Sequence, residues 1–213
     1  MEIAFSQFTV VQGADESCLT TPAPMIKNDL VHAFHTTQAF QWDRERGFRL
    51  ASGIVSPFYV DCRIVLSHPQ PRHLIAQAAY EQLQSVPIDM IGGLEIGAIP
   101  LATCISDFGY TAKPRRIWRT FVVRKHPKDH GLGKLIEGTI TPGDHALIVD
   151  DVLTTGGSLM KAANAAREAG LKVTHAMVIV DRSPGEGKSY LEQNGIQVLH
   201  LLTLDDLKAG FHP

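Results

Sequence analysis

Residues 145–158 read His145-Ala146-Leu147-Ile148-Val149-Asp150-Asp151-Val152-Leu153-Thr154-Thr155-Gly156-Gly157-Ser158. The run Ala146–Val149 is apolar without interruption, which predicts a strand buried on both faces rather than one that alternates with solvent. The strand ends in two adjacent carboxylates, and a loop of hydroxyls and glycines follows. Leu159–Ala169 then reads as an Ala-rich helix stopped by Gly170, a frequent residue just past a helix end. The same grammar extends in both directions. Met90–Gly93, Thr120–Val123, Val173–Val180 and Gln197–Leu202 read as further strands, while Arg72–Leu83 and Ile99–Ile105 read as helices. Buried strands alternating with helices predict an α/β fold, with a central, mostly parallel sheet carrying helices on both faces. Nearer the start, Ile26, Leu30, Val31 and Phe34 fall at helical spacing within Met25–Phe34, just after Pro22 and Pro24. Gly47–Leu50 and Pro57–Asp61 read as two short strands around a Ser52-Gly53 turn.

The length of 213 residues favours one domain, 1–213, and the 44% hydrophobic and 20% charged content is ordinary for a globular chain. A net charge of −2 excludes a generally basic surface, so no nucleic-acid partner is expected and any anion site must be a local cluster of cations. No apolar run reaches the ~18 residues of a membrane span. Met1–Val10 lacks the basic and long apolar regions of a secretory signal. Cys18, Cys62 and Cys104 are odd in number, far apart and without a CxxC pair, which argues against a disulfide framework or zinc ribbon. These features predict a cytoplasmic protein with no membrane contact.

Ligands of open α/β sheets gather beyond the carboxyl ends of the strands. There, Gly156 and Gly157 let backbone N–H groups turn toward an anion, Thr154, Thr155 and Ser158 add hydroxyls, and the next helix presents its positive end. This is a monophosphate cradle; the Walker and dinucleotide glycine patterns are absent. Carboxylates directly upstream of a phosphate need something cationic or hydroxyl-bearing between them. A phosphorylated ribose with Mg²⁺ near its hydroxyls meets that need, and Asp150 and Asp151 then face a sugar that develops positive charge. The alternative is a helix-capping loop that happens to contain two acids.

A second cluster is Arg124-Lys125-His126-Pro127-Lys128-Asp129-His130-Gly131-Leu132-Gly133. His126 and His130 share a metal-like spacing, but Pro127 and the neighbouring cations oppose a dication. A solvated surface loop is one reading. The other is a glycine-hinged lid that closes over a polyanionic leaving group and excludes water.

Taken together, these segments resemble the type I phosphoribosyltransferases, and within them the orotate phosphoribosyltransferase family. The resemblance spans about residues 47–205. It rests on Ser52-Gly53 with Ser56–Asp61, on the Arg124–Gly131 segment, and on Val149–Ser158. It implies Mg²⁺-dependent transfer of phosphoribose from phosphoribosyl diphosphate (PRPP) to orotate in pyrimidine synthesis, giving orotidine 5′-monophosphate and diphosphate. Residues 1–65 would form an N-terminal helix and hood, and 66–213 the PRPP-binding core, with the lid at 124–133. By position, Thr154, Thr155, Gly156, Gly157 and Ser158 hold the 5-phosphate, Asp150 and Asp151 the ribose hydroxyls, and Val152 and Leu153 join them. Arg124, Lys125, Lys128 and His130 reach the diphosphate. Phe58, Tyr59, Thr154 and Arg182 contact orotate, Arg182 through its carboxylate. Asp150, Asp151, Lys125, Lys128 and His130 are the expected catalytic set, and Mg²⁺ is held mainly by PRPP, near the two aspartates. The resemblance also implies a homodimer whose lid serves the neighbouring site.

Two positions depart from the family pattern: Ala51 and Gly97 stand where many members carry lysine. Gly92, Gly93 and Gly97 either make a tight strand–helix turn or let main-chain N–H groups approach a diphosphate. Two other functions stay open at this level, transfer to another base and a PRPP sensor without catalysis. A DNA-binding sensor would need a basic face, which the composition lacks.

Overall fold

The computed structural model describes residues 24–43, 45–49, 55–126, 135–183 and 185–210. In chain order, α1 (Pro24–Thr36) leads to four short strands, β1 (Phe40–Trp42), β2 (Phe48–Arg49), β3 (Val55–Ser56) and β4 (Phe58–Val60). Helices α2 (Cys62–Ser67) and α3 (Pro69–Gln82) follow, then β5 (Met90–Leu94), α4 (Ala98–Thr111), β6 (Arg119–Val123) and β7 (Ile136–Glu137). The remainder is β8 (His145–Leu153), α5 (Gly157–Glu168), β9 (Lys172–Asp181), α6 (Glu186–Gln193), β10 (Gln197–Thr203) and α7 (Leu204–Ala209).

Strand β8 shows why the sheet needs helices on both sides. Leu147 and Val149 enter one hydrophobic cluster and Ala146 and Ile148 the other, as the two-residue period of a strand requires. Residues of α1, α2, α3, α4 and α7 pack into the first cluster, and those of α5 and α6 into the second. The sheet order is β10-β9-β8-β5-β6-β7, parallel throughout except for the β6–β7 pair at one edge. From β5 the chain moves outward to β6, but after β7 it returns to the other side of β5 and builds outward through β8, β9 and β10. The point where the strand order reverses therefore lies between β5 and β8, at the sheet centre, and the crevice beyond their carboxyl ends is the natural ligand position.

The expected α/β sheet is present, and three details differ. First, β8 does not stop before the acids but runs through them to Leu153. Ten-residue β9 pairs along it, Asp150 opposite Val178, Val152 opposite Val180 and Leu153 opposite Asp181. Second, the two predicted N-terminal strands do not pair with each other. β2 pairs with β3, and β4 pairs with β1, from Phe40↔Val60 to Trp42↔Phe58. Third, β1, β7, α2, α6 and α7 had no periodic signal, because two to eight residues are too few to establish one. Helix α3 begins at Pro69 rather than Arg72, since proline suits the first helical turn. Residues 1–23, the Ser52-Gly53 turn with Ala51, and residues 127–133 of the expected lid lie outside the described residues. No described helix is long and apolar enough to cross a membrane.

Candidate active site

The acidic pair sits where the strand order reverses. The Asp151 N–H donates to Asp150 Oδ1 at 3.0 Å. Both carboxyls converge on Gly97 in the β5–α4 turn. A Cβ there would stand 3.0 Å from Asp150 Oδ1 and 3.1 Å from Asp151 Oδ1, so any side chain at 97 would press on the carboxylates. Gly92 and Gly93 answer a different need and lie within β5. Cβ atoms at these positions would come within 2.2 Å of the Phe121 carbonyl and 2.1 Å of the Val149 carbonyl. Burial first, and the neighbouring Asp151 charge second, push the Asp150 carboxyl up to about 7. This pair is an under-compensated negative centre.

Cys62 opens α2, which is capped by the Asp61 carboxylate accepting from the Arg63 N–H. Its side chain is fully buried, and its thiol donates to the Asp151 carbonyl at 3.7 Å. Burial raises the thiol well above its ordinary value. The charges of Asp151, Asp61 and Asp150 act in the same direction, while Arg182 opposes them. Arg182 thus shares the neighbourhood of the acids. It follows β9, donates its N–H to the Leu153 carbonyl at 2.9 Å, and is half-buried; desolvation holds its guanidinium below the usual range.

Beyond Leu153 the chain turns sharply into α5. Gly156 caps the helix with φ +80°, and a Cβ there would meet the Gly187 carbonyl at 3.1 Å. Only glycine holds this left-handed position without strain. Helix α6 braces the loop from behind, its Gly187 fitting so close that a Cβ would lie 2.4 Å from the Thr154 carbonyl. Thr154, Thr155, Gly157 and Ser158 remain exposed at the α5 N-terminus. Asp150, Val152, Leu153 and residues 154–159 line a cavity of about 90 Å³. All the residues expected for the cradle are brought together here.

The cationic segment starts at the end of β6. The Arg124 N–H donates to the Leu135 carbonyl at 2.8 Å, and its guanidinium lies 3.6 Å from Glu137 Oε1. Lys125 is exposed, and its charge is felt at Asp150, where it opposes the upward shift. The segment expected to form a lid thus begins beside the acidic pair. Lys128, Asp129, His130 and Gly131 lie outside the described residues.

In the hood, Phe58 and Tyr59 point to opposite faces of β4. The Phe58 ring lies 6.2 Å from Phe40 and 5.1 Å from Trp42, centroid to centroid, under the Lys208 ammonium at 4.7 Å. Tyr59 stacks on Phe48 at 5.6 Å and donates its hydroxyl to Asp61 Oδ2 at 3.3 Å. Phe58 belongs to the apolar packing of these short strands, while Tyr59 faces the other side. Tyr59 is joined through Asp61 to the α2 start beside the acids.

The turn Glu95–Ala98 was expected to offer main-chain N–H groups to a diphosphate, but residue patterns gave no sign of the side-chain bonds that Cys62, Glu95 and Lys161 make to the backbone of candidate site residues. Single residues without a motif carry no signal until the fold brings them together. No cluster of three metal-ligating side chains occurs among the described residues.

A family model, the phosphoribosyl transferase domain, matches residues 65–197. Orotate phosphoribosyltransferase of Aquifex aeolicus is 40% identical over 160 residues, covering 75% of this chain and 86% of that protein. Bovine uridine 5′-monophosphate synthase is 35% identical over 184 residues, covering 85% of this chain and 36% of that longer protein. Among solved structures, Mycobacterium tuberculosis orotate phosphoribosyltransferase in complex with PRPP superposes with a TM-score of 0.68 at 29% identity, covering 87% of this chain and 93% of that one. With the strand–acid–cradle arrangement at the centre of the sheet, these likenesses show that the chain belongs to the orotate phosphoribosyltransferase family of phosphoribosyltransferases.

Proposed function

We propose that the protein transfers the phosphoribosyl group of PRPP to orotate, giving orotidine 5′-monophosphate and diphosphate in cytoplasmic pyrimidine synthesis. The observation that carries this reading is the junction of β8 and α5, where an acidic pair runs directly into a glycine-turned hydroxyl cradle. The family of the chain supports it.

The 5-phosphate sits at the α5 N-terminus, on the main-chain N–H groups and hydroxyls of Thr154–Ser158. The ribose then lies over Asp150 and Asp151, its hydroxyls accepted by the carboxylates. As the glycosidic bond to diphosphate lengthens, positive charge grows on the sugar ring, and the two carboxylates stabilise it. The leaving diphosphate takes up the bond electrons, and Arg124, Lys125, Lys128 and His130 neutralise its charge. Orotate is oriented by Arg182 through its carboxylate, and its ring nitrogen attacks the opposite face of the sugar. Tyr59 is the hood ring that faces the base. Lid closure from the neighbouring subunit of a homodimer keeps water from the sugar cation.

A hard divalent cation suits this site. The paired oxygens of Asp150 and Asp151 are under-compensated, as the raised Asp150 shows, and oxygen ligands are those Mg²⁺ prefers. With no third protein ligand among the described residues, the ion would be held mainly by PRPP oxygens beside these carboxylates. Bound there, Mg²⁺ would neutralise phosphate charge and coordinate the ribose hydroxyls.

The test is an absorbance assay: purified protein, Mg²⁺ and PRPP, with loss of the orotate near-ultraviolet band followed over time. Turnover that needs both Mg²⁺ and PRPP is the expected result. Failure with orotate, but turnover with another base, would shift the substrate. Binding of PRPP without turnover on any base would leave a sensor.

A further inference from the structure

The main-chain peptide groups of Lys125 are gripped from two sides by opposite charges. The Glu95 carboxylate, in the turn after β5, accepts the Lys125 N–H at 2.7 Å. The Lys161 ammonium, on the second turn of α5, donates to the Lys125 carbonyl at 3.0 Å. Both bonds are charge-assisted and aligned with the dipoles they meet, the negative group on the N–H and the positive group on the carbonyl. Glu95 is itself fixed, since its N–H donates to the Val123 carbonyl at 2.8 Å. Its turn continues to Gly97, against which both acids converge. Lys161 belongs to the helix whose N-terminus forms the cradle. One residue of the cationic segment is therefore keyed simultaneously to the acidic-pair turn and to the cradle helix.

We infer that Glu95 and Lys161 are positioning residues that hold Lys125 in register with the acidic pair and the cradle, so that its ammonium meets the diphosphate. This inference rests on the proposed function, and neither side chain is assigned a contact with substrate. Lys161 adds a cation close to Lys125, so the rival explanation is that Lys161 touches the diphosphate itself. Position and direct contact separate cleanly in one respect. Lys125→Ala removes the ammonium but keeps the N–H and carbonyl that Glu95 and Lys161 hold. If the two residues act only by placing the Lys125 side chain, removing them should matter only while that side chain exists.

The experiment is a pair of double-mutant cycles. Glu95→Ala and Lys161→Met are measured for kcat and for KM of PRPP, each in the native and the Lys125→Ala background. In the native background each should lower kcat/KM about tenfold, the scale of a lost charge-assisted bond. In the Lys125→Ala background each should lower it less than about twofold. Glu95→Gln and Lys161→Arg, which keep an acceptor and a donor, should recover most of the loss. Equal losses in both backgrounds would overturn the inference and make these residues substrate ligands or fold supports. An independent measurement does not need turnover. Hydrogen exchange at the Lys125 amide, read by NMR, should be about tenfold faster in Glu95→Ala than in the native protein. An unchanged rate would overturn the Glu95 grip even in an active enzyme, whereas faster exchange in a protein inactive on orotate would place the failure in the proposed reaction.

Discussion

The β8–α5 junction and the hood each contribute to the proposed site, but they are assembled by opposite means. At the junction every chemical group comes from one run of neighbouring residues, Asp150 to Ser158, and pairing with β9 only fixes its direction. The hood is assembled from four short strands, of which β1 and β4 are separated by two others in sequence, and its aromatic contacts join residues 40, 42 and 58. In a contiguous site, chemistry depends on local backbone geometry. In a dispersed one it depends on which face pairing assigns to each side chain. Substitutions should therefore separate catalysis from stability in different ways in the two regions.

The largest effect should come from Asp151→Asn. This change keeps size and shape, so folding should survive, while the charge opposite the developing sugar cation disappears. Removing one such electrostatic partner costs on the order of 10²–10³ in kcat. An unchanged kcat in the orotate assay would exclude Asp151 from the mechanism. Lys125→Ala should follow, with turnover falling further than PRPP affinity, because the lid acts on a charge that builds up late. Asp151→Asn and Lys128→Ala should be inactive separately yet recover activity when mixed, since one interface would then join an intact Asp151 to an intact neighbouring lid. No recovery after proven subunit exchange would mean that each site uses its own lid.

Asp150 offers a pH test of the junction. Its carboxyl is raised to about 7 by burial and by Asp151, against an ordinary value of about 4 in the unfolded chain. Between these values the folded state holds a proton that the unfolded state has lost, so stability falls as pH rises from about 4 to about 7. Asp150→Asn removes this titration. Variant and native protein should melt together near pH 4, and the variant should melt a few degrees higher at pH 8. Equal melting at both pH values would show that Asp150 is not buried enough to shift. A related structural test is Gly156→Ala, which should cost about 1–2 kcal/mol from its left-handed φ and lower the melting temperature.

The same contrast explains what could be read from residues alone. The sheet was legible because Ala146–Val149 and Ala176–Val180 are buried on both faces and thus continuously apolar. The cradle was legible because its glycines and hydroxyls adjoin. The end of β8 was misjudged because charge normally marks a strand's exit from the core, and here β9 continues to pair beyond it. The Lys125 grip was invisible, since Glu95, Lys125 and Lys161 come from three separate elements and form no pattern. The hood strands were detected, but their partners depend on long-range pairing that no local period encodes.

Phe58 and Tyr59 give the sharpest test of the hood, with the smallest expected effects. Adjacent on β4, they face opposite sides, Phe58 among Phe40 and Trp42 and Tyr59 toward Phe48 and Asp61. Truncating a half-buried ring at a packed site should cost less than the ~3–5 kcal/mol of a fully buried one. Phe58→Ala should therefore lower the melting temperature by several degrees and, with the base on the Tyr59 face as proposed, leave KM for orotate within about twofold. Tyr59→Ala should do the reverse, raising that KM a few-fold with a smaller change in melting, because the ring it leaves behind is Phe48 on a two-residue strand. If instead Phe58→Ala raises KM for orotate and Tyr59→Ala does not, the base lies on the other face of the hood. The hood would then have to turn over relative to the core when substrate binds.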